Sequence, residues 1–200
     1  MFNITDILIT NFIEELRLAY SKTYGGLNKE YGEILTWAGT MALEIISNSD
    51  AMYHNVEHTI LVTLVGQEIL RGKHIKEGGV SPRDWLHCII SFLCHDIGYV
   101  KGVCKNDDLE KGVFATGVGT DVVQVENGST DAALTPYHVN RGKQFVKKRF
   151  GGHTIIDPDI LSRNIEYTRF PVPDKSDAGF KHDDPFPSVV RSADLIGQLA

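Results

Sequence analysis

Hydrophobic residues recur at helical spacing along most of this chain. Between residues 6 and 20, and again between 28 and 47, apolar side chains follow the i, i+3, i+4 pattern of an amphipathic helix. No segment shows the sustained two-residue alternation of a central strand, so the pattern predicts an all-α bundle of about seven helices. The other helices are predicted over residues 55–70, 81–98, 135–150, 157–168 and from 188 to the end.

Local signals refine the ends of these helices. Asn28 is a candidate N-cap, and Gly72 is expected to stop the third helix. The fourth helix has the clearest start, because Ser81 can cap it, Pro82 suits the first helical position and Asp84 completes a variant capping box. Its body is apolar nearly all round, which is typical of a helix buried at the centre of a domain.

Residues 99–134 have a different composition. Glycine recurs through the segment, and the alternation over residues 121–126 predicts a short hairpin arm. A long irregular segment in a small domain is often a lid or a binding loop. A second loop, rich in proline, is predicted over residues 169–187.

The length of 200 residues and the hydrophobic content of 42% suit one folded domain. Residues 1–48 form its N-terminal helices and residues 50–200 its core.

The net charge of −6 argues against a nucleic-acid polymer as partner. No apolar run is long enough for a membrane span, and the first residues lack the positive region of a signal peptide. Together with three cysteines in no redox or zinc-finger spacing, this predicts a cytoplasmic protein.

The candidate chemistry lies in three separated segments. They are Tyr53-His54-Asn55-Val56-Glu57-His58, then Cys94-His95-Asp96-Ile97-Gly98, and then Ser192-Ala193-Asp194-Leu195. Helical positions four apart differ by only about 40°, so His54 and His58 can face one cavity, with His54 at the helix start. His95 and Asp96 can converge on one ion if the helix unwinds at Gly98. Each segment alone is weak evidence, but a charged Asp96 beside the most buried helix needs a partner.

Imidazole and carboxylate ligands together suit divalent cations, and they do not distinguish zinc, iron, manganese and magnesium, or one ion from two. The residues resemble the H…HD…D signature of the HD-domain metal-dependent phosphohydrolases, an all-α superfamily, over residues 50–200. Within that range, Tyr53-His54-Asn55-x-x-His58 is similar to the signature of class I cyclic-nucleotide phosphodiesterases. The Ser192-Ala193-Asp194-Leu195 segment also matches the presentation of their last ligand.

The resemblance assigns roles to these residues. It implies that His58, His95, Asp96 and Asp194 bind the first metal, that Asp96 bridges to a second, and that His54 is the general acid. The expected reaction is hydrolysis of a mono- or diester of a small phosphorylated molecule, for example a nucleotide, by attack of a metal-bound hydroxide.

Two departures limit the resemblance. The phosphodiesterases have a further histidine shortly after the HD pair, where this chain reads Ile97-Gly98-Tyr99-Val100. The region that grips the purine lies beyond the last aspartate, and this chain stops at Ala200. Cyclic-nucleotide specificity is therefore not carried over.

Other residues are candidates for substrate contact. His138 falls in the first turn of its predicted helix, where an anion or a second metal would be well placed. Arg141 and Lys143 are candidates for phosphate contact, as is Arg169. The simpler interpretation of these cations is a solvated face.

Two other interpretations of the chain remain open. One is a regulatory or scaffolding protein with a structural metal and no activity, and the other is a metal-free helical interaction module. The intact His54-Asn55-x-x-His58 motif argues against the first, because a silent core has no use for a proton donor.

Overall fold

The structure, a computed structural model, describes residues 3–172 and 185–199. Within these residues the protein is mostly helical and forms a single domain with one small two-stranded sheet. The α-helices are α1 (Ile4–Tyr24), α2 (Glu30–Ile46), α3 (Val56–Glu77), α4 (Pro82–Cys94), α5 (His138–Phe150), α6 (Pro158–Glu166) and α7 (Pro185–Gly197). The strands are β1 (Val113–Ala115) and β2 (Val122–Gln124).

Helix α4 is the centre of the domain, as its sequence predicts. The Ser81 hydroxyl accepts a hydrogen bond from the Asp84 amide, and the Asp84 carboxylate accepts one from the Ser81 amide, so the capping box is complete. Every residue from Trp85 to Cys94 is buried. The helix packs against α2, α3, α6 and α7 and carries the His95-Asp96 pair into the middle of the molecule.

The α1–α2 hairpin covers one side of this core. Asn3 caps α1 by accepting a hydrogen bond from the amide of Thr5, and Gly25 ends the helix with a φ of 62°. The predicted cap Asn28 is wrong for α2, which begins at Glu30 without a side-chain cap. Asn28 instead adopts a φ of 48° within the turn, a conformation that asparagine tolerates better than most residues.

Helix α3 is longer than its sequence predicts. It continues through Gly72 to Glu77, and Gly78, whose φ is 67°, caps its end. A helical glycine costs only about 1 kcal/mol relative to alanine, which contacts elsewhere along the helix can outweigh. The glycine with a positive φ is the one that stops the helix.

The glycine-rich segment 99–134 is anchored to the helices and is not a free arm. The expected hairpin is present, but β2 pairs antiparallel with β1, which lies upstream of the predicted 121–126 segment. A short 3₁₀ helix, Asp131–Leu134, then leads towards α5, which begins at His138 and not at Thr135.

His87 joins two elements of the core. Its Nδ1 donates to the Arg83 carbonyl at 2.7 Å, and its Nε2 accepts from the Asp157 amide at 2.9 Å, where α6 begins. Burial lowers the pKa of His87, which fits the neutral imidazole that this pair of contacts requires.

Most of the predicted 169–187 loop lies outside the described residues, and α7 begins at Pro185. Among the helices described, none combines the length and apolarity needed to cross a bilayer.

Candidate metal centre

The start of α3 brings His54 and His58 together. Asn55 caps this helix, because its side-chain oxygen accepts a hydrogen bond from the amide of His58 at 2.9 Å. His54 therefore precedes the helix, and His58 lies buried in its first turn. The two rings approach to 5.7 Å between centroids, and the turn of the chain, more than helical periodicity, directs both towards Asp96.

The end of α4 presents the adjacent pair. His95 closes the helix, Asp96 adopts φ −99° and ψ 1°, and a 3₁₀ turn over Ile97–Tyr99 follows. This change of backbone direction lets both side chains reach one point, with His95 Nε2 3.1 Å from Asp96 Oδ2. Gly98 is required for close packing, since an added Cβ would lie 1.9 Å from the His138 carbonyl oxygen.

Helix α7 supplies the last donor. Asp194 Oδ1 lies 3.7 Å from Nε2 of both His58 and His95, and the Gln198 side chain donates to the same oxygen at 3.1 Å. Segments far apart in sequence therefore meet because α3, α4 and α7 pack against one another.

The side chains of this histidine and aspartate cluster are suited to bind a cation. His58, His95, Asp96 and Asp194 are all buried, and both ring nitrogens of His58 and the Nε2 of His95 make no hydrogen bond. The separations of 3.1 to 3.7 Å from these Nε2 atoms to the carboxylate oxygens match ligands of one ion. Ligands about 2.0–2.1 Å from a tetrahedral ion lie about 3.3 Å apart.

The electrostatics of the cluster agree with this fit. Burial alone would lower the pKa of His95, but the nearby charge of Asp96 outweighs it and raises that pKa to about 9. Burial opposes ionisation of Asp96, yet His95, His54 and His58 hold its pKa well below the usual range. The two carboxylates thus give the cluster a preference for positive charge, which a divalent ion would satisfy.

His54 occupies a different position from the others. Its Nδ1 lies 2.7 Å from Asp96 Oδ2, and its side chain is 26% exposed. Its ring stacks on Tyr99 at 4.0 Å, and Tyr99 stacks in turn on His138 at 4.4 Å, so three rings lie nearly parallel. His54 can also join His58 and Asp96 as a donor to an ion, so geometry alone allows it to be a ligand.

A pocket of about 480 Å³ opens directly above the cluster. His54, Asp96 and Asp194 form part of its floor, and Tyr53 and Phe170 lie at its partly exposed rim. Its volume lies within the range of about 300–1,000 Å³ typical of small-molecule sites. The cluster is therefore accessible to a small ligand from one side.

The family model described as Npun_R2479-like matches residues 2–200 of the chain. The chain belongs to the Npun_R2479-like family. Searches of curated proteins and of solved structures gave no match.

His138, which the sequence predicts to contact substrate, lines the pocket above the metal cluster of this Npun_R2479-like protein. It is the first residue of α5, its Nδ1 donates to the Thr135 carbonyl at 2.6 Å, and burial lowers its pKa. The hydrogen bond leaves Nε2 as the ring nitrogen able to accept a contact from a ligand.

Arg141 is buried and holds neighbouring segments of this protein together. Its side chain is fully buried, and all five guanidinium N–H donors are used. They contact both oxygens of Asp107 and the carbonyls of Gly98, Val100 and Ala115, at 2.7 to 2.9 Å. This saturation speaks against the predicted phosphate contact and shows how the glycine-rich segment is fastened to α5.

Lys143 is also separated from the cluster. Its ammonium group pairs with Glu166 at 2.5 Å, and it lines a different cavity of this Npun_R2479-like protein. Arg169, the other candidate cation, does line the pocket, where it is held by Glu166 and by Asn140.

Sequence reasoning missed several residues of the pocket wall. Arg191 and Leu195 of α7 lie three residues before and one residue after Asp194, Gln198 lies four after it and just beyond the helix, and all three line the pocket. Helical spacing from Asp194 predicts that Arg191 and Gln198 share its face, but it does not predict Leu195. Tyr167 and the stacking role of Tyr99 had no comparable signal, because both depend on how separate elements pack. Of the glycine-rich segment 99–134, only Tyr99 lies among the pocket residues described, which gives no support to a lid.

Proposed function

We propose that this protein is a metal-dependent phosphohydrolase that cleaves a phosphoester of a small phosphorylated molecule. The observation that carries the proposal is the buried cluster of two histidines and two aspartates at the floor of an accessible pocket, in which three of the ring nitrogens make no hydrogen bond. The order His58, His95-Asp96, Asp194 on packed helices supports an HD-type fold as part of the same proposal.

His58, His95, Asp96 and Asp194 would hold the ion. When bound, a divalent cation supplies an activated water at neutral pH and neutralises charge on the phosphoryl oxygens. Asp96 would also position His54, because Asp96 Oδ2 lies 2.7 Å from Nδ1 of the His54 ring. The Gln198 amide keeps Asp194 Oδ1 in position.

The pocket wall would bind the phosphate and the rest of the substrate. Arg169 and Arg191 are the arginines that line it. The aromatic groups Tyr53 and Phe170 give it apolar faces on which a flat group of the substrate can rest. This combination suits a phosphorylated molecule with an apolar or aromatic portion.

His54 would protonate the leaving oxygen. The contact between its Nδ1 and Asp96 fixes the ring and leaves Nε2 as the nitrogen that can carry a proton to the substrate. The partial exposure of His54 in the pocket is consistent with direct contact with a substrate.

The test of this proposal combines metal analysis with a substrate screen. Purified protein is expected to hold near-stoichiometric divalent metal and to hydrolyse p-nitrophenyl phosphate, bis(p-nitrophenyl) phosphate or a member of a nucleotide panel. Asp96→Ala is expected to lose both metal and turnover, because it removes the carboxylate shared by three histidines. Mass spectrometric metal analysis and release of p-nitrophenol or phosphate measure the two effects.

Asp159→Ala is the matched control, because Asp159 is exposed on α6 and pairs only with Lys147 among the contacts described. It should keep metal and activity. An unchanged metal content in Asp96→Ala would contradict the site assignment. Bound metal without turnover on any substrate would favour the regulatory or scaffolding interpretation.

Tyr99 provides a second prediction within the site. Tyr99→Leu is expected to lower kcat by about tenfold while changing the metal content little, because the leucine side chain cannot keep the His54 ring stacked in place. Tyr99→Phe keeps the ring and should retain most of the rate. Steady-state kinetics of both variants test this, and equal losses in the two would assign the effect to the phenol hydroxyl instead of the stack.

A further inference from the structure

Arg169 is held in one orientation at the wall of the pocket above the metal cluster. It follows the end of α6, and its side chain is 27% exposed. Its Nε donates to Glu166 Oε1 at 2.5 Å, and its Nη2 donates to Glu166 Oε2 at 3.0 Å and to Asn140 Oδ1 at 2.7 Å. A bidentate carboxylate and an amide therefore fix one edge of the guanidinium group.

These contacts leave one amino group of Arg169 available. A guanidinium group has five N–H donors, and the described hydrogen bonds use the N–H of Nε and both N–H groups of Nη2. Nη1 makes none of the described hydrogen bonds, and it is not one of the buried atoms without a partner, so it has accessible surface. Because Arg169 lines the pocket, a ligand there can accept from Nη1.

The carboxylate that holds Arg169 is shared with a second cation. Lys143 Nζ lies 2.5 Å from Glu166 Oε2, so two positive charges surround one negative charge. Burial opposes ionisation of Glu166, but the contacts with Arg169 and Lys143 lower its pKa below the usual range. An isolated pair of Arg169 and Glu166 would be neutral, whereas the group of three keeps a net positive charge.

The packing of α5 against α6 builds this arrangement. Asn140 and Lys143 lie three apart on α5, so they share one face of that helix, and Glu166 is the last residue of α6. Lys143 lines a different cavity, whereas Arg169 lines the pocket. Glu166 therefore connects a cation outside the pocket to one inside it.

We propose that Arg169 Nη1 binds a phosphoryl oxygen of the substrate and that Glu166 and Lys143 are positioning residues for this contact. Glu166 directs the free amino group into the pocket, and Lys143 offsets the charge of Glu166, so that Arg169 still attracts an anion. The inference rests on the proposed function, which makes the bound oxyanion the phosphate of the substrate. Lys143, which the sequence predicts to contact phosphate, then acts on it only through Glu166.

The test measures binding separately from turnover. The probe is phenylphosphonate, whose P–C bond is not an ester bond, and its affinity for the metal-loaded protein is measured by isothermal titration calorimetry. Arg169→Met is expected to weaken binding by about tenfold, the usual effect of losing a hydrogen bond to a charged group. Arg169→Lys should recover little, because an ammonium group cannot make the bidentate contact with Glu166. Metal content should stay unchanged in both variants.

Glu166→Gln distinguishes positioning from simple charge. It removes a negative charge, so electrostatic attraction alone predicts tighter binding of the probe, whereas loss of the tether predicts binding weaker by about fivefold. Lys143→Met should weaken binding by about threefold, and less at high salt. Lys148→Met is the matched control, since Lys148 lies on the same helix and lines the same outer cavity but has no described contact with Glu166. It should bind the probe as the unmodified protein does.

Unchanged affinity in Arg169→Met would overturn the proposal, as would tighter binding in Glu166→Gln. Equal losses in Lys143→Met and Lys148→Met would reduce the role of Lys143 to general charge and contradict its part. Circular dichroism establishes that each variant is folded, and Arg169→Met and Lys143→Met still decide the question if Glu166→Gln is not. Phosphoester hydrolysis that Arg169→Met leaves unaffected would keep the proposed function and overturn this inference. The expected binding pattern in a protein without turnover would contradict the proposed function and support the oxyanion contact.

Discussion

His54→Ala is expected to keep the bound metal and to lower turnover by about 10²–10⁴-fold, the usual contribution of a general acid. The physical reason is that the leaving alkoxide needs a proton, and His54 is the partly exposed imidazole beside the cluster. Metal analysis and single-turnover kinetics on the same preparation measure the two quantities separately.

His54→Asn is the matched variant for this prediction. The asparagine amide can donate to Asp96 as the imidazole Nδ1 does, but it has no proton to transfer at neutral pH. Both variants should therefore be slow. Recovery of the rate in His54→Asn would mean that the residue only positions Asp96, and loss of metal in His54→Ala would make it a ligand, as its distance to His58 and Asp96 allows.

Arg141→Met is expected to lower the free energy of unfolding by about 3–5 kcal/mol, because it leaves Asp107 buried without its ion partner. Arg141→Lys should recover little, since an ammonium group cannot reproduce the bidentate pair and the three carbonyl contacts. Urea denaturation followed by circular dichroism measures both variants.

Arg17→Met serves as the control, because Arg17 is exposed and pairs only with Glu14 on the same helix among the contacts described. Its unfolding free energy should change by about 0.5 kcal/mol or less. If Arg141→Met were as stable as the control but bound phosphorylated ligands more weakly, the phosphate-contact prediction would stand after all.

Residue type was a good guide where the local signal was strong. Ser81, Pro82 and Asp84 predict the start of α4 because a capping box is satisfied within one turn. The helix stop at Gly72 was wrong for the opposite reason. A glycine tolerates both helical and positive φ, so residue type alone does not distinguish Gly72, inside the helix, from Gly78, which caps it with a positive φ.

The three candidate phosphate-binding cations also show that residue type alone does not determine where a side chain lies. Arg141, Lys143 and Arg169 are equivalent on the surface of a predicted helix or loop, yet the structure buries the first, pairs the second outside the pocket and directs the third into it. The difference arises because Asp107, the Gly98 carbonyl and two carbonyls of the glycine-rich segment converge on Arg141 alone. No short stretch of sequence contains that information.

The sequence by itself determined the helical architecture, the buried central helix and the identity of the residues able to hold a metal. Helical periodicity, capping and ligand chemistry are local properties, so neighbouring residues suffice to specify them. Only the tertiary structure decided that His58, His95, Asp96 and Asp194 meet, that Tyr99 stacks between His54 and His138, and which cations face the pocket. Those outcomes depend on the packing of α3, α4, α5 and α7, which brings together side chains distant in sequence.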